Sequence, residues 1–300
     1  MRLFLLKIIL FSALVISNFL IILSSSDGYT DPFYLRFTTP QQKNLILGNS
    51  RAAQGVVPSI FDEDLGINMY NYSFTLSHSP YGPVYFRSIL KKLDTSGKNG
   101  LFIITVDPWS ISSISKDPND ANKFRENELS LAKTTVVNVS PNFHYLIHRF
   151  SGSYFKLLLS QKSSSFLHND GWLEISVKMD SSSIIERTQD KIKSYRNDLL
   201  PNYKKSSLRI NYLEQIIVRL KKQGKVFLVR LPVHEKMLAI ENDFMPEFNE
   251  FMLALSKKTN GYFDMTSLPN TYTFTDGNHL YKKSGKKVTK DIIMWIENNN

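Results

Sequence analysis

Cysteine is absent from this sequence of 300 residues. Without a thiol the chain forms no disulfide, offers no thiolate nucleophile and holds no metal ion through sulfur. The absence is compatible with an oxidising compartment, although it is not specific to one. The chemistry of the protein must therefore come from hydroxyl, imidazole, carboxyl and amide groups.

The sequence also lacks the motifs of several common binding sites. It contains no internal repeat, no glycine-rich nucleotide loop and no nucleic-acid-binding module. His144 and His148 have the i, i+4 spacing of a metal-binding pair, but no Glu-x-x-His pattern accompanies them. We therefore expect packing or surface roles for both histidines, no metal, no cofactor and no nucleic-acid partner.

Acidic residues are fewer than basic ones, and the formal net charge is +10. The lysine and arginine residues are scattered, and pairs such as Lys91-Lys92 and Lys221-Lys222 fall near the ends of predicted helices. A solvated surface explains this distribution better than a nucleic-acid site does. An anionic partner, such as a membrane surface or an acidic glycan, remains open.

Residues 8–23 form a nearly unbroken apolar run, which fits either a signal-peptide core or a short membrane-spanning helix. No clean small-x-small cleavage site follows, so we favour an uncleaved signal anchor over residues 1–25. Arg2 and Lys7 precede the run, which predicts a cytoplasmic N-terminus and an extracytoplasmic domain, periplasmic or at the cell surface. Residues 26–42, rich in glycine and proline, are expected to be a tether.

Apolar runs of strand length alternate with helical patterns over most of residues 43–300. Residues 101–106 and 226–231 are examples of strands with the composition of parallel strands buried on both faces. The alternation predicts a three-layer α/β/α sandwich with a mostly parallel sheet. Residues 112–205 interrupt it, and we expect an insertion there beside the functional face, either a lid or an acceptor-binding subdomain.

Two short motifs carry the candidate chemistry. Gly48-Asn49-Ser50 follows a short apolar strand and precedes a helix, so that Ser50 stands beside free backbone N–H groups. Asp276-x-x-His279 lies in a loop near the other end of the chain. A histidine near neutrality can take the proton of a serine hydroxyl, and a carboxylate holds its tautomer. Taken singly, the motifs also fit a helix cap and a surface turn.

Together these motifs make the chain resemble the SGNH, or GDSL-like, hydrolase superfamily. The resemblance implies a flavodoxin-like sheet with Ser50 as nucleophile, His279 as base and Asp276 as acid. It also implies an oxyanion hole that includes the backbone N–H groups of Ser50 and Ser73. Three residues beside these blocks are assigned to substrate binding: Asn49, Arg51 and Asn71. Arg51 either contacts an anionic substrate or braces the turn.

The sequence departs from the family pattern at two positions. Ser73 stands where a glycine is expected, and Asp107 stands where many members carry an asparagine that completes the oxyanion hole. The resemblance and the expected anchoring imply an O-acetyltransferase or O-acetylesterase that acts on an envelope or surface carbohydrate. The missing asparagine favours the alternative, a non-catalytic envelope or assembly protein that retains the scaffold.

Overall fold

The computed structural model describes residues 1–150, 152, 154–158, 163–269 and 271–299. Its α-helices, in chain order, are α1 Arg2–Ser24, α2 Ser50–Gly55, α3 Pro58–Leu65, α4 Pro83–Lys92, α5 Ser130–Lys133, α6 Phe143–His148, α7 Phe155–Leu158, α8 Ser181–Ser194, α9 Ser207–Lys221, α10 Glu235–Phe244, α11 Phe248–Ser256 and α12 Lys282–Asn298. Its strands are β1 Leu45–Leu47, β2 Tyr70–Asn71, β3 Gly100–Thr105, β4 Ser112–Ser113, β5 Ser165–Leu167, β6 Leu173–Ile175, β7 Lys204–Lys205, β8 Gly224–Arg230 and β9 Tyr262–Asp264.

The main sheet has five strands in the order β2-β1-β3-β8-β9, and every neighbouring pair is parallel. Its first strand lies inside the sheet, between the second and third strands of the chain. This is the flavodoxin-like order: β2 is added on one side of β1, and β3 and the later strands are added on the other side, so the order of addition reverses between β1 and β3. Sites in such folds form at the carboxyl ends of the strands beside that reversal, where Ser50 follows β1.

Side chains of the strands alternate between two apolar clusters, one on each face of the sheet. On β3, for example, Phe102 and Ile104 join one cluster while Leu101 and Ile103 join the other. The first cluster is covered by α4, α9 and α11, and the second by α2, α3 and α12. The predicted three-layer α/β/α class with a mostly parallel sheet is confirmed.

Helix α1 has the length and composition of a membrane span, and its most apolar window is entirely exposed. A secretory signal sequence has the same properties, so these features do not establish the topology. Its last turn reaches the domain, where Leu23 is fully buried in the first apolar cluster.

Residues 26–42 pack against the domain rather than forming the expected free tether. Phe37 is fully buried, and the buried Arg36 side chain donates to the carbonyl oxygens of Pro32, Asn71 and Gly171. The glycine and proline content of the segment predicted a linker. The segment packs on the domain instead, because burying each of its aromatic side chains stabilises that arrangement by roughly 1.5–3 kcal/mol.

Within the described part of residues 112–205, two short antiparallel ribbons form, β4 with β7 and β5 with β6. Residues 151, 153 and 159–162 of the expected insertion lie outside the description. Helix α8 packs over the carboxyl edge of the sheet: Thr188 borders Gly277, and Ile192 contacts a small cluster around Trp109. Helix α8 therefore lies directly against the Asp276–His279 turn.

Candidate active site

Ser50 is the first residue of α2, directly beyond the carboxyl end of β1. Asn49 caps this helix, since its Oδ1 accepts the backbone N–H of Arg51 at 3.0 Å. Gly48 makes the turn sterically feasible, because a Cβ there would overlap Thr105 Oγ1 on β3. The strand, the glycine and the cap together hold the Ser50 hydroxyl at the edge of the sheet, where it is partly exposed.

The Asp276–His279 turn is organised by one carboxylate. Asp276 Oδ1 accepts the backbone N–H groups of Asn278 at 3.0 Å and His279 at 2.8 Å. Gly277 adopts φ +78°, a left-handed conformation that other residues adopt only at a cost. The turn leaves Asp276 Oδ2 free to face the imidazole of the same segment.

The two motifs meet in space although they are 229 residues apart in sequence. Ser50 Oγ lies 2.9 Å from His279 Nε2, and His279 Nδ1 lies 2.8 Å from Asp276 Oδ2. Helix α12 brings them together, because it starts just after the turn and packs against α2 and α3. The structure therefore places the hydroxyl, the imidazole and the carboxylate in one hydrogen-bonded chain.

This arrangement fixes the protonation pattern of the neutral imidazole. A carboxylate can only accept, so Nδ1 carries the proton and Nε2 offers its lone pair to the Ser50 hydroxyl. Burial acts to raise the pKa of Asp276, but the His279 ring and the Lys191 ammonium outweigh it and hold that pKa well below its usual range. Asp276 is thus a carboxylate at neutral pH.

Arg51 faces inward rather than toward a substrate. It is buried, forms an ion pair with Glu241 at 2.6 Å and donates to Asn278 Oδ1 from Nε at 3.0 Å and Nη2 at 2.6 Å. Of the two expected roles for Arg51, the structure supports the bracing of the turn. The side chain joins the Ser50 helix directly to the histidine-bearing turn.

Glu241 is the centre of this buried network, and sequence reasoning missed it. The fully buried carboxylate accepts Arg51, Arg230 at 2.9 Å and the Trp109 indole N–H at 3.2 Å. Burial acts to raise the pKa of Glu241, but the charges of the two arginines outweigh it and lower that pKa. The signal was available, since Glu241 lies four residues after the buried Met237 on the apolar face of α10.

The remaining residues assigned to binding are buried supports in the structure. Asn49 Nδ2 donates to Asp107 Oδ2 at 2.6 Å, and Asn71 Nδ2 donates to the carbonyl oxygens of Ala52 and Val56. The backbone N–H of Ser73, expected in the oxyanion hole, already donates to Asn71 Oδ1 at 3.2 Å. These contacts hold α2 on the sheet and leave neither asparagine directed at the hydroxyl of Ser50.

Asp107 occupies the position of the missing asparagine and braces the turn. Besides accepting Asn49, it caps the short helix that follows β3 by accepting the Ser110 N–H at 2.9 Å. Burial raises its pKa, an effect that Arg51 opposes. Asp107 therefore ties the end of β3 to the Ser50 turn.

An open depression of about 350 Å³ adjoins the triad on the side of α8 and is lined by Arg187, Asp190, Lys191, Ser194 and Asp276. Arg187 is engaged with the turn, since its Nε donates to the carbonyl of Thr275 at 2.7 Å. A larger cavity, of about 620 Å³, includes Gly100 and Gly224 and lies at the opposite, amino edge of the sheet. Of the two, only the depression includes a residue of the triad, Asp276.

Among the described residues, no group of three or more histidine, aspartate and glutamate side chains is arranged to hold a metal ion. His144 and His148 contact each other on α6, with ring centroids 5.1 Å apart. Their contact is with each other on one helix, away from the three residues of the triad.

No protein-family description matches this sequence, and no curated protein matches it. Among solved structures, the chain is similar to a carbohydrate acetylesterase family member from Sinorhizobium meliloti. The two share 10% sequence identity, the match covers 85% of this chain and 99% of the other, and the TM-score is 0.36. At this distance the neighbour's activity does not transfer to this chain, and the chemistry of the site rests on its own geometry.

Proposed function

We propose that this protein is a serine-dependent acyl-ester enzyme that uses Ser50 as nucleophile, His279 as general base and acid, and Asp276 as the group that orients the ring. The observation that carries the proposal is the continuous chain of hydrogen bonds from Ser50 Oγ through His279 to Asp276, at 2.9 and 2.8 Å. Both distances are within the range needed for proton transfer along a triad.

In the first half of the reaction, Ser50 Oγ attacks the carbonyl carbon of an ester while its proton moves to His279 Nε2. The imidazolium that forms is stabilised by Asp276, which stays ionised. The tetrahedral intermediate then collapses: the bond from carbon to the alcohol oxygen breaks, and that oxygen takes the proton from Nε2. Ser50 is left as an acyl ester, and the alcohol departs.

In the second half, water or a hydroxyl of an acceptor replaces the alcohol. His279 Nε2 takes its proton as its oxygen attacks the acyl carbon, and Ser50 Oγ leaves and regains the proton. Water yields a free acid, whereas an acceptor hydroxyl yields a new ester. The same three residues therefore serve hydrolysis and transfer alike.

We assign stabilisation of the oxyanion to the backbone N–H of Ser50. It lies in the first turn of α2, whose N–H groups have no acceptor within the helix. Ser73 is not retained in this role, because its N–H is used by Asn71. A single backbone donor predicts a slower enzyme, since each lost oxyanion donor costs about 10²–10³ in kcat.

We assign the ester to a carbohydrate of the cell envelope or cell surface. The SGNH resemblance implies acyl chemistry, and α1, if retained, would hold the domain beside that envelope. The positive net charge favours acidic glycans among such substrates.

One competing function is a non-catalytic envelope or assembly protein on the same scaffold. It is favoured by the absence of the oxyanion-hole asparagine, which Asp107 replaces, and by the ion pair that Lys191 forms with the carboxylate of Asp276. Labelling by a fluorophosphonate probe separates the two functions. We expect labelling of the wild-type protein at pH 7–8 and none of Ser50→Ala, with Ser256→Ala on α11 as the labelled control.

A folded wild-type protein that stays unlabelled would favour the non-catalytic scaffold. If labelling occurs, acetate release from p-nitrophenyl acetate should be compared with and without an oligosaccharide acceptor. Formation of acetylated oligosaccharide at the expense of free acetate identifies a transferase. Unchanged acetate release identifies an esterase.

A further inference from the structure

The side chain of Asn278 is held in one orientation by Arg51. An arginine has only donors, and both Nε and Nη2 of Arg51 point at the same Asn278 atom, at 3.0 and 2.6 Å. That atom must be the acceptor Oδ1. The amide nitrogen Nδ2 therefore faces the other way, toward His279 Nε2 at 3.3 Å.

The contact of Arg51 with Asn278, which we call the Asn278 clamp, is rigid. Asn278 is buried, and its backbone N–H is fixed by Asp276. Arg51 is anchored on Glu241, which is fully buried. Reversing the amide would place two N–H groups against a guanidinium, so the donor stays directed at Nε2.

The position beside Nε2 is occupied in acyl transfer by the oxygen of the alcohol. That oxygen receives its proton from Nε2 when the ester breaks, and it gives its proton to Nε2 when an acceptor attacks. The carbonyl oxygen lies on the other side of the acyl carbon, near the N–H of Ser50. A donor that lies 3.3 Å from Nε2 is thus closer to the alcohol oxygen than to the oxyanion.

We propose that Asn278 Nδ2 and His279 Nε2 together form the subsite for the alcohol oxygen of the substrate, with Asn278 donating a hydrogen bond to that oxygen. This assignment rests on the proposed function. The hydrogen bond stabilises the negative charge that develops as the bond from carbon to oxygen breaks. The proton itself still comes from Nε2, and Asn278 neither gains nor loses one.

The subsite makes a specific prediction about leaving groups. An alkoxide, as in an alkyl or sugar ester, needs stabilisation as it departs, whereas p-nitrophenolate is stable by itself. Losing Asn278 Nδ2 should slow acylation by alkyl acetates roughly 10- to 100-fold, the effect of one hydrogen bond to a charged group. Acylation by p-nitrophenyl acetate should fall by a clearly smaller factor.

The test compares Asn278→Asp and Asn278→Ala with the wild-type protein, using the acylation rate from single-turnover experiments. Asn278→Ala removes the donor without adding a charge, whereas Asn278→Asp keeps an acceptor for Arg51 but places a carboxylate beside Nε2, so that each variant is judged by its selectivity between esters. The proposal expects both variants to lose rate selectively with ethyl acetate and with an acetylated oligosaccharide. An equal loss with alkyl and p-nitrophenyl esters, or no loss, would overturn it.

Labelling by the fluorophosphonate probe keeps this outcome separate from failure of the triad. Fluoride leaves without needing a proton or a donor, so labelling of the wild-type protein tests the triad and not the subsite. If the wild type is labelled but leaving-group selectivity is absent, the subsite alone is wrong. If folded wild-type protein is not labelled, the proposed function fails and the subsite with it.

Discussion

Lys191 lies 3.3 Å from Asp276 Oδ2, the same oxygen that accepts His279 Nδ1. Helix α8 therefore supplies a cation to the carboxylate of the triad. The ammonium charge favours the ionised carboxylate and helps to lower the pKa of Asp276.

Lys191→Met should raise the pKa of Asp276, measured as the pH titration of its carboxyl carbon by NMR, because the ammonium is one of the groups that lower that pKa. Since Lys191 is about one-third exposed, we expect a shift of roughly 0.5 pH unit, as for a surface ion pair worth under 1 kcal/mol. The control is Lys193→Met, an exposed lysine two residues further along α8. Equal titration profiles for both variants would show that Lys191 has no influence on the triad.

Asp276→Asn should destabilise the protein at neutral pH and to a smaller extent at pH 3. The folded-state pKa of Asp276 lies below its unfolded value, so its stabilising effect is fully present above about pH 4 and is lost as pH falls through the folded pKa. Urea unfolding of the wild-type protein and of Asp276→Asn at pH 7 and pH 3 measures this difference in stability. A stability difference that persists unchanged at pH 3 would contradict the linkage to this carboxylate.

Glu241→Gln should destabilise the protein by roughly 3–5 kcal/mol, because it leaves two buried guanidinium groups without a counter-charge. Activity should also fall in the folded fraction, since Arg51 loses its anchor and the Asn278 clamp loosens. Glu250→Gln, exposed on α11, is the matched control and should change stability by less than about 0.5 kcal/mol. Unfolding by urea and turnover of ethyl acetate give the two readouts, and equal results for Glu241→Gln and Glu250→Gln would exclude a structural role for the network.

Gly277→Ala and Gly66→Ala form a pair that separates backbone strain from damage to the site. Both glycines have positive φ, +78° and +65°, so each alanine should cost roughly 1–2 kcal/mol. Only at Gly277 would the new Cβ meet a neighbour, Thr188 Cγ2 at 2.9 Å, whereas Gly66 has open space. We expect Gly277→Ala alone to lose turnover at a temperature where both variants are folded; equal turnover would mean that the turn tolerates the displacement.

The anchor is tested by the fate of α1 in cells. We expect the mature protein to retain residues 1–25, to stay with membranes after an alkaline carbonate wash, and to be digested by protease added from outside. The reason is the length and apolar composition of α1, which fit a membrane span. Soluble mature protein that lacks residues 1–25 would show that the segment is a cleaved signal.

Local patterns predicted the regular part of the fold well. The apolar runs at residues 101–106 and 226–231 are β3 and β8 within one residue or two. These elements are long and periodic, so burial and hydrogen bonding favour one structure strongly. Residues 67–74 alternate as a strand would, but β2 covers only Tyr70–Asn71, and the backbone N–H of Ser73 donates to the Asn71 side chain instead.

By itself the sequence determined the parallel α/β class and the apolar N-terminal helix, because both depend on short-range patterns, and the family resemblance of two motifs singled out the candidate nucleophile, base and acid. Only the tertiary structure decided which polar residues meet: Arg51 with Glu241 and Asn278, and Lys191 with Asp276. Such contacts join segments far apart in the chain. No local pattern encodes them, since they form only where packing of the sheet and its helices brings those side chains within a few ångströms.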